Sequence, residues 1–381
     1  AIAICQGGVR TDNLDTIKSI DKILFNDKTA WTASGGIESD FSGLMDLRLY
    51  YGKGGSATAQ DVASPDVSDN SIDTNILSVS DDWTSNHRMN GVAYAYLILK
   101  YDREKFPGLP TILFDVKGKG VDNGSGFTKT DADRKNPAYV LRDYLQSSRY
   151  GKGLTDAELD LDSFGTAATY CSNAGLEFNG AVLTSNTIFQ NVQQILAAGN
   201  LNLVFSAGKY RVAPQKKLDH TNAFDFNTEN IIGQWQISLG SKRSMYNTVT
   251  VNFFNKDTDY QPDSVVIEPS EYLTADSNVV NAKTMDLPYT DNATDAERLA
   301  RFYLDTSRYQ TVVNFKATWE ALKLDVGDPC TITHSVPGWD GKEFVVNSMV
   351  LLDDSTVDVT LVQYLPETIG SRTDVYLEDN V

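Results

Sequence analysis

The chain has 381 residues, with 33 Lys and Arg against 51 Asp and Glu, a formal net charge of −18, and 41% hydrophobic side chains. Its 18 Tyr and 16 Phe exclude a disordered chain, the acidic excess argues against a protein that wraps a phosphate backbone, and three cysteines exclude a disulfide scaffold. No run of about 18 apolar residues occurs, so no membrane-spanning helix is expected, and at roughly 100–200 residues per domain the length allows two or three domains. The opening AIAICQGG has no Met and no basic stretch, so no signal peptide is expected. Cys5, Cys171 and Cys330 are expected as separate buried thiols, with a single bridge left open.

The first 135 residues read as a β-rich domain. Short apolar elements fall at Ile23–Phe25 and Leu44–Tyr51, and the run Gly91–Lys100 is long, aromatic and β-rich. Pro107 and Pro110 exclude a helix after it, Thr111–Val116 is the next strand, and Val121–Gly124 is a turn. Residues 52–80, rich in Ser, Asp and Gly, read as a loop insertion projecting from a sheet to touch a neighbouring protein.

Residues 136–219 change period and form a helical and hairpin connecting domain. Asn136 is an N-cap with Pro137 at the first helical position, and Val140, Leu141, Tyr144 and Leu145 give that helix an apolar face. Thr155 and Glu158 are spaced as a capping box for a second helix that carries Leu159, Leu161 and Phe164 and runs toward Cys171, with Gly175 closing it. Ser185 or Thr187 caps a third helix that ends at Gly199, and residues 201–214 read as a hairpin.

From 220 to 381 the chain is β-rich again, and a barrel or sandwich is the natural closure. Strands are expected at Ile231–Leu239, Tyr246–Phe254, Val312–Trp319, Cys330–Ser335, Phe344–Leu352 and Val357–Tyr364, the last two joined by a turn at 353–355. One helix, about 294–306, interrupts them, opened by a capping box of Thr294 and Glu297. The segments RDYLQSSRY (142–150) and RFYLDTSRY (301–309) share six residues in register, each at a helix C-terminus, as an old duplication of a strand-plus-helix unit would leave them.

No constellation in the chain carries chemistry. His87, His220 and His334 stand alone, with no HExxH or CxxC spacing, so a zinc site has no support. Asp131 and Asp133 lack the oxygen ligands of a calcium loop and read as a solvated charge cluster. Gly-Lys-Gly occurs at Gly52, Gly118 and Gly151 without completing a phosphate-binding loop, and no GxSxG elbow is present. A carboxylate dyad is defined by spatial separation, which sequence does not give. No catalytic, cofactor-binding or metal residue is therefore assigned.

Residues 136–153, NPAYVLRDYLQSSRYGKG, carry a resemblance. The segment resembles Asn-Pro-Ala-aromatic-x-Leu-x-Asp-x-Leu…Arg-Tyr-Gly-x-Gly in the tail-tip and baseplate-hub proteins of long-tailed phages, lambdoid host-specificity proteins among them. The strand, Pro-containing loop and strand of 91–121 are similar to that family, as are the helix near 294–306 and FKATWEALKLDVGDPCTITH at 315–334 with its Asp325–Asp328 turn. The resemblance spans about 90–365 and implies a mainly β fold with α+β parts: two tail-tube-like β-barrel or sandwich domains joined by a helical middle segment. It implies a non-enzymatic homotrimer that adapts a hexameric tail tube to a three-fold tip in the virion, is assembled in the bacterial cytoplasm, and serves host attachment and DNA ejection. Its partners would be a distal tail or tube protein, a tape-measure protein and other tip proteins; its cofactors, none. An acidic bore would let DNA slide past unbound, and −18 has the right sign. The alternatives are a β-rich carbohydrate-active enzyme or lectin, and a spike-like hub of a contractile injection machine.

Overall fold

The structure, a computed structural model, describes residues 2–6, 17–50, 92–128, 130–206, 208–215, 218 and 220–364. The insertion expected at 52–80 and His87 lie outside the described residues. Two compact units are present, Ala1–Arg134 and Lys135–Val381. The fold is mainly β with α+β parts, as the sequence leads one to expect.

The first unit holds β1 (Ile2–Gln6), β2 (Ile17–Phe25), β3 (Lys28–Thr32), β4 (Gly36–Ile37), β5 (Met45–Tyr50), β6 (Val92–Leu99), β7 (Ile112–Lys119), β8 (Val121–Asp122), β9 (Phe127–Thr128) and helix α1 (Asp131–Arg134). Its larger sheets run β1-β6-β5 and β4-β3-β2-β7. Ile17, Ile20, Ile23 and Phe25 of β2 share one core with Met45 and Leu49 of β5 and Ala93 and Ala95 of β6, so the two sheets pack face to face. Only the end of β2 is legible in sequence, because irregularities at Ile20/Lys22 and Ile23/Leu24 break its period of two. Asn26 and Asp27, with φ of +47° and +65°, turn β2 into β3, a tight hairpin those residue types favour. Phe106 anchors the Pro-containing loop by packing on Phe25 and Phe41, ring centroids 5.6 and 5.5 Å away.

The second unit begins with α2 (Pro137–Gln146), α3 (Leu161–Ala174), α4 (Ile188–Ala198) and the hairpin β10 (Leu201–Ser206) and β11 (Lys209–Pro214). Then come β12 (Phe224–Phe226), β13 (Ile231–Ser238), β14 (Thr248–Asn255), β15 (Gln261–Ile267), α5 (Ser270–Ala275), β16 (Ala282–Asp286) and α6 (Ala293–Ser307). The strands β17 (Val312–Ala317), β18 (Pro329–His334), β19 (Trp339–Leu351) and β20 (Val357–Gln363) complete it.

Asn136 caps α2 by accepting the Ala138 N–H at 3.1 Å, while its amide donates to the Ala168 carbonyl of α3 at 2.8 Å, so one side chain starts a helix and sets its neighbour. Thr187, with Gln190, makes the box that opens α4. Two expected boxes act differently. Thr155 and Glu158 close on each other but cap a short 3-10 turn; Leu159, buried and extended, then bridges to Tyr210, and α3 begins only at Leu161. For α6 the cap is Asn292 rather than Thr294, because the Asn292 side chain accepts from the Asp295 N–H at 2.9 Å and donates to its carboxylate.

One core joins Leu141, Tyr144 and Leu145 of α2, Phe164 and Tyr170 of α3, and Val192 and Ile195 of α4 to Val249, Val251 and Phe253 of β14 and Leu299 and Leu304 of α6. It therefore crosses position 219, the expected end of the connecting domain. β14 is the centre of the three-stranded sheet β15-β14-β16, whose inner face lies on α6. The remaining strands form one six-stranded sheet, β12-β18-β19-β20-β17-β13. Four strand spacings separate β12 from β17, roughly 19 Å in a flat sheet. Phe226 of β12 nevertheless meets Phe315 of β17 edge to face, with centroids 5.0 Å apart. The sheet therefore curls into a half-barrel, filled by Phe226, Phe315, Cys330, Ile332, Phe344 and Leu361.

Candidate assembly surface

Among the described residues, the histidines and the acidic pair tested for chemistry in the sequence have structural partners. His220 lies between the Leu218 and Phe344 carbonyls, 3.2 Å from each, with its ring against Tyr364. The His334 ring packs on Trp235, 4.6 Å away. All three thiols are free; Cys171 and Cys330 are buried, whereas Cys5 is only half-buried. Burial pushes the Cys5 and Cys171 thiols up to about 11 and about 12, so neither is a nucleophile at neutral pH. Asp131 is held down to about 2, chiefly by the Lys18 ammonium at 2.6 Å and then by Arg134. Among the described residues no three His, Cys, Asp or Glu gather as a metal site.

The motif at 136–153 has a steric basis. A Cβ at Gly151 would sit 1.6 Å from the Tyr144 carbonyl oxygen, and Gly153 has φ of +75°. The Gly-Lys-Gly step is thus a close backbone approach behind α2, not a phosphate cradle. The echoed segment at 301–309 shares placement but not partners. Leu145 and Leu304 are both buried, yet Tyr144 stacks on Tyr150 and Tyr303 on Tyr246. The Asp325–Asp328 turn is a tie: Asp325 accepts from Ser206 of β10 and Arg211 of β11, both at 2.9 Å, fastening that hairpin to the half-barrel.

What the second unit leaves open is backbone. Among the described residues four strands end a sheet there, apart from the two-stranded β10–β11 hairpin, and they differ sharply. β12 has only three residues. In β15, Pro262 has no N–H to offer and the Ser264 N–H is taken by the Asp263 carboxylate at 2.8 Å, so that edge is blunted. That carboxyl lies below its ordinary range because the Asn255 amide and then the Ser264 N–H both donate to it. β16 carries Lys283 and Asp286. β13, IIGQWQIS, has eight residues with no charge and no proline, and pairs only with β17 among the described residues.

The curl explains why β13 is also sticky. Ile231, Trp235 and Ile237 pair with the inward residues Ala317, Phe315 and Val313, so they face the barrel interior. Among the described residues no strand follows β13, and the opening beside it is covered instead by Trp235 against His334 and, edge to face at 5.6 Å, Trp339. Ile237 stays 38% exposed and Leu239, just past the strand, 79%. An open edge beside incompletely covered apolar side chains is a pairing template, which a chain this acidic would be expected to protect with charge. Sequence reasoning found the strand but not its position as an edge; the absence of charge over 230–241, apart from the flanking residues, is the signal that was available.

Comparison with known proteins finds similarity to phage tail proteins. Residues 187–344 match the family model of putative phage tail proteins. The chain is 24% identical over 310 residues to the baseplate hub protein pb3 of Escherichia phage T5, covering 74% of this chain and 32% of that protein. It is 24% identical over 264 residues to the tip attachment protein J of Escherichia phage SECphi27, covering 62% of this chain and 22% of that protein. Among solved structures, a chain in the virion of a native gene transfer agent particle superposes over 96% of this chain and 77% of its own, with a TM-score of 0.59 and 14% identity, which shows a shared fold. The resemblance to tail-tip and baseplate-hub proteins read at 136–153 is thus borne out. The chain therefore spans less than a third of the length of pb3 and less than a quarter of the length of J.

Proposed function

We propose that this chain is a structural hub of a phage or prophage tail tip that assembles threefold into a ring, adapts the hexameric tube to the tip, and lets DNA pass without holding it. The observation that carries the proposal is the β13 edge: eight uncharged residues, with no strand on one side among the described residues, in a chain of net charge −18. A ring closes such edges against neighbouring subunits, and the negative charge keeps a phosphate backbone sliding instead of binding. The two-sheet first unit and the sheets of the second supply the paired β modules such a ring needs. A distal tail or tube protein and a tape-measure protein are its expected neighbours, and the work is geometric, with no catalytic residue.

The test is solution mass by light scattering on the full chain and on Ile237→Lys. A trimer that falls to monomer in Ile237→Lys, with the far-ultraviolet spectrum unchanged, supports the reading. A monomer at every concentration, or a trimer indifferent to the substitution, overturns the β13 ring.

A further inference from the structure

The segment between β15 and β16, residues 268–281, is attached to the second unit in an unusual way. It carries α5, which has no buried residue, and it leaves Val279 and Val280 largely exposed. Its apolar contribution is Pro269, with Tyr272 and Leu273 half-buried. Polar contacts do the rest. The Tyr272 ring lies between two guanidinium groups, 5.4 Å from Arg301 and 4.8 Å from Arg308, and its hydroxyl donates to the fully buried Asp305 carboxylate at 2.5 Å. Arg301 donates to Asp305 at 3.0 Å and to Glu271 at 2.9 Å. Arg308 donates to both oxygens of Asp276, at 2.6 and 3.0 Å. At the far end the buried Asn247 amide donates to Asp276 and to the Val279 carbonyl, both at 2.8 Å.

We propose that residues 268–281 form a releasable strap, clasped to α6 by this Arg–Tyr–Asp cluster, which opens while the core beneath it stays folded. The reason is the kind of attachment. Opening exposes little apolar surface, so its cost is set by charge-assisted hydrogen bonds, which water and salt can replace. The core contacts of β14 and α6 are apolar and have no such substitute. The strap is also tethered at both ends, by Thr248 donating to Glu268 and by Asn281 donating to the carbonyls of Lys242, Arg243 and Met245, so it swings without leaving. Opening strips Arg301 and Arg308 of their partners in the strap and loosens the lead into β16, the parallel edge of its sheet. The proposal stands whether or not β13 is the ring contact.

The test is amide hydrogen exchange on the intact chain. The strap has amides worth following, because the N–H groups of Tyr272, Asp276 and Asn278 donate within it, the last to Leu273 at 2.7 Å. They should exchange at least about 100-fold faster than those of Val249, Val251 and Phe253 in β14. Raising salt from about 0.05 M to about 0.5 M should speed the strap several-fold and leave β14 unchanged. Arg308→Gln should speed the strap about tenfold, again without moving β14. If strap and β14 exchange together, the segment opens only on unfolding and the proposal fails; a strap indifferent to salt and to Arg308→Gln also overturns the clasp. Should Arg308→Gln not fold, the comparison within the unaltered chain decides.

Discussion

The curl of the six-stranded sheet predicts an energetic coupling between two residues that a flat sheet would keep apart. Phe226 and Phe315 are 0% and 1% exposed, and their rings meet at 72° with centroids 5.0 Å apart. Phe226→Leu and Phe315→Leu should each cost about 1–2 kcal/mol, from lost ring area and an imperfectly refilled site. The edge-to-face contact itself is worth about 1 kcal/mol beyond burial, so the double variant should be less destabilised than the sum of the singles by that amount. Independent sites add within about 0.3–0.5 kcal/mol, so a coupling of this size is resolvable. The assay is urea unfolding of the four chains followed by Trp fluorescence, with an unchanged slope required before the midpoints are compared. A coupling below about 0.3 kcal/mol would mean that β12 and β17 do not face each other, and the half-barrel would have to be abandoned.

Three further outcomes follow from the geometry. Gly151→Ala must push the Tyr144 carbonyl aside and should cost about 3 kcal/mol or abolish folding, whereas Gly118→Ala, with nothing within 4 Å of the new Cβ, should stay within about 0.5 kcal/mol; thermal unfolding separates them. Lys18→Met removes the principal group that lowers the Asp131 carboxyl to about 2. A depressed carboxyl stabilises above its unfolded value near 4 and loses that contribution as pH falls toward about 2; half-exposed, the pair is worth less than about 1 kcal/mol, so the unaltered chain and Lys18→Met should differ slightly at neutral pH and converge in acid. With a disulfide reagent at pH 8, at most the half-buried Cys5 should react in the folded chain, and all three thiols after unfolding; rapid reaction of two or three in the native state would contradict the burial of Cys171 and Cys330.

Much of this fold was legible where local signals act alone. Asn136-Pro137 starts a helix by its own chemistry, and β19 and β20 announce themselves by β-branched runs around the turn at Ser355, whose φ is +63°. The failures arise where a distant contact overrides a local one. Thr155 and Glu158 form their box, but the pairing of Leu159 with Tyr210 keeps the backbone extended for one more step. The strands β15 and β16 were missed because each shows at most two apolar side chains to a core and owes its shape to β14 between them. The candidate surface was less legible still. An edge is a property of the sheet, so the eight neutral residues of β13 acquire meaning only once β17 is seen on one side of them and, among the described residues, no strand on the other.

The half-barrel is not continuous along the chain. β12 and β13 precede β17 by the whole stretch between Ser238 and Val312, which belongs to another core. On a ribosome adding 5–20 residues per second, about seventy residues take roughly four to fifteen seconds. For that interval the neutral strand waits without its partner, while β14 and α6, the rest of the helical core, are still being made. Long-range pairing of this kind is slow and exposed to aggregation, so yield in a recombinant host should depend on growth temperature and on chaperones that hold unpaired strands.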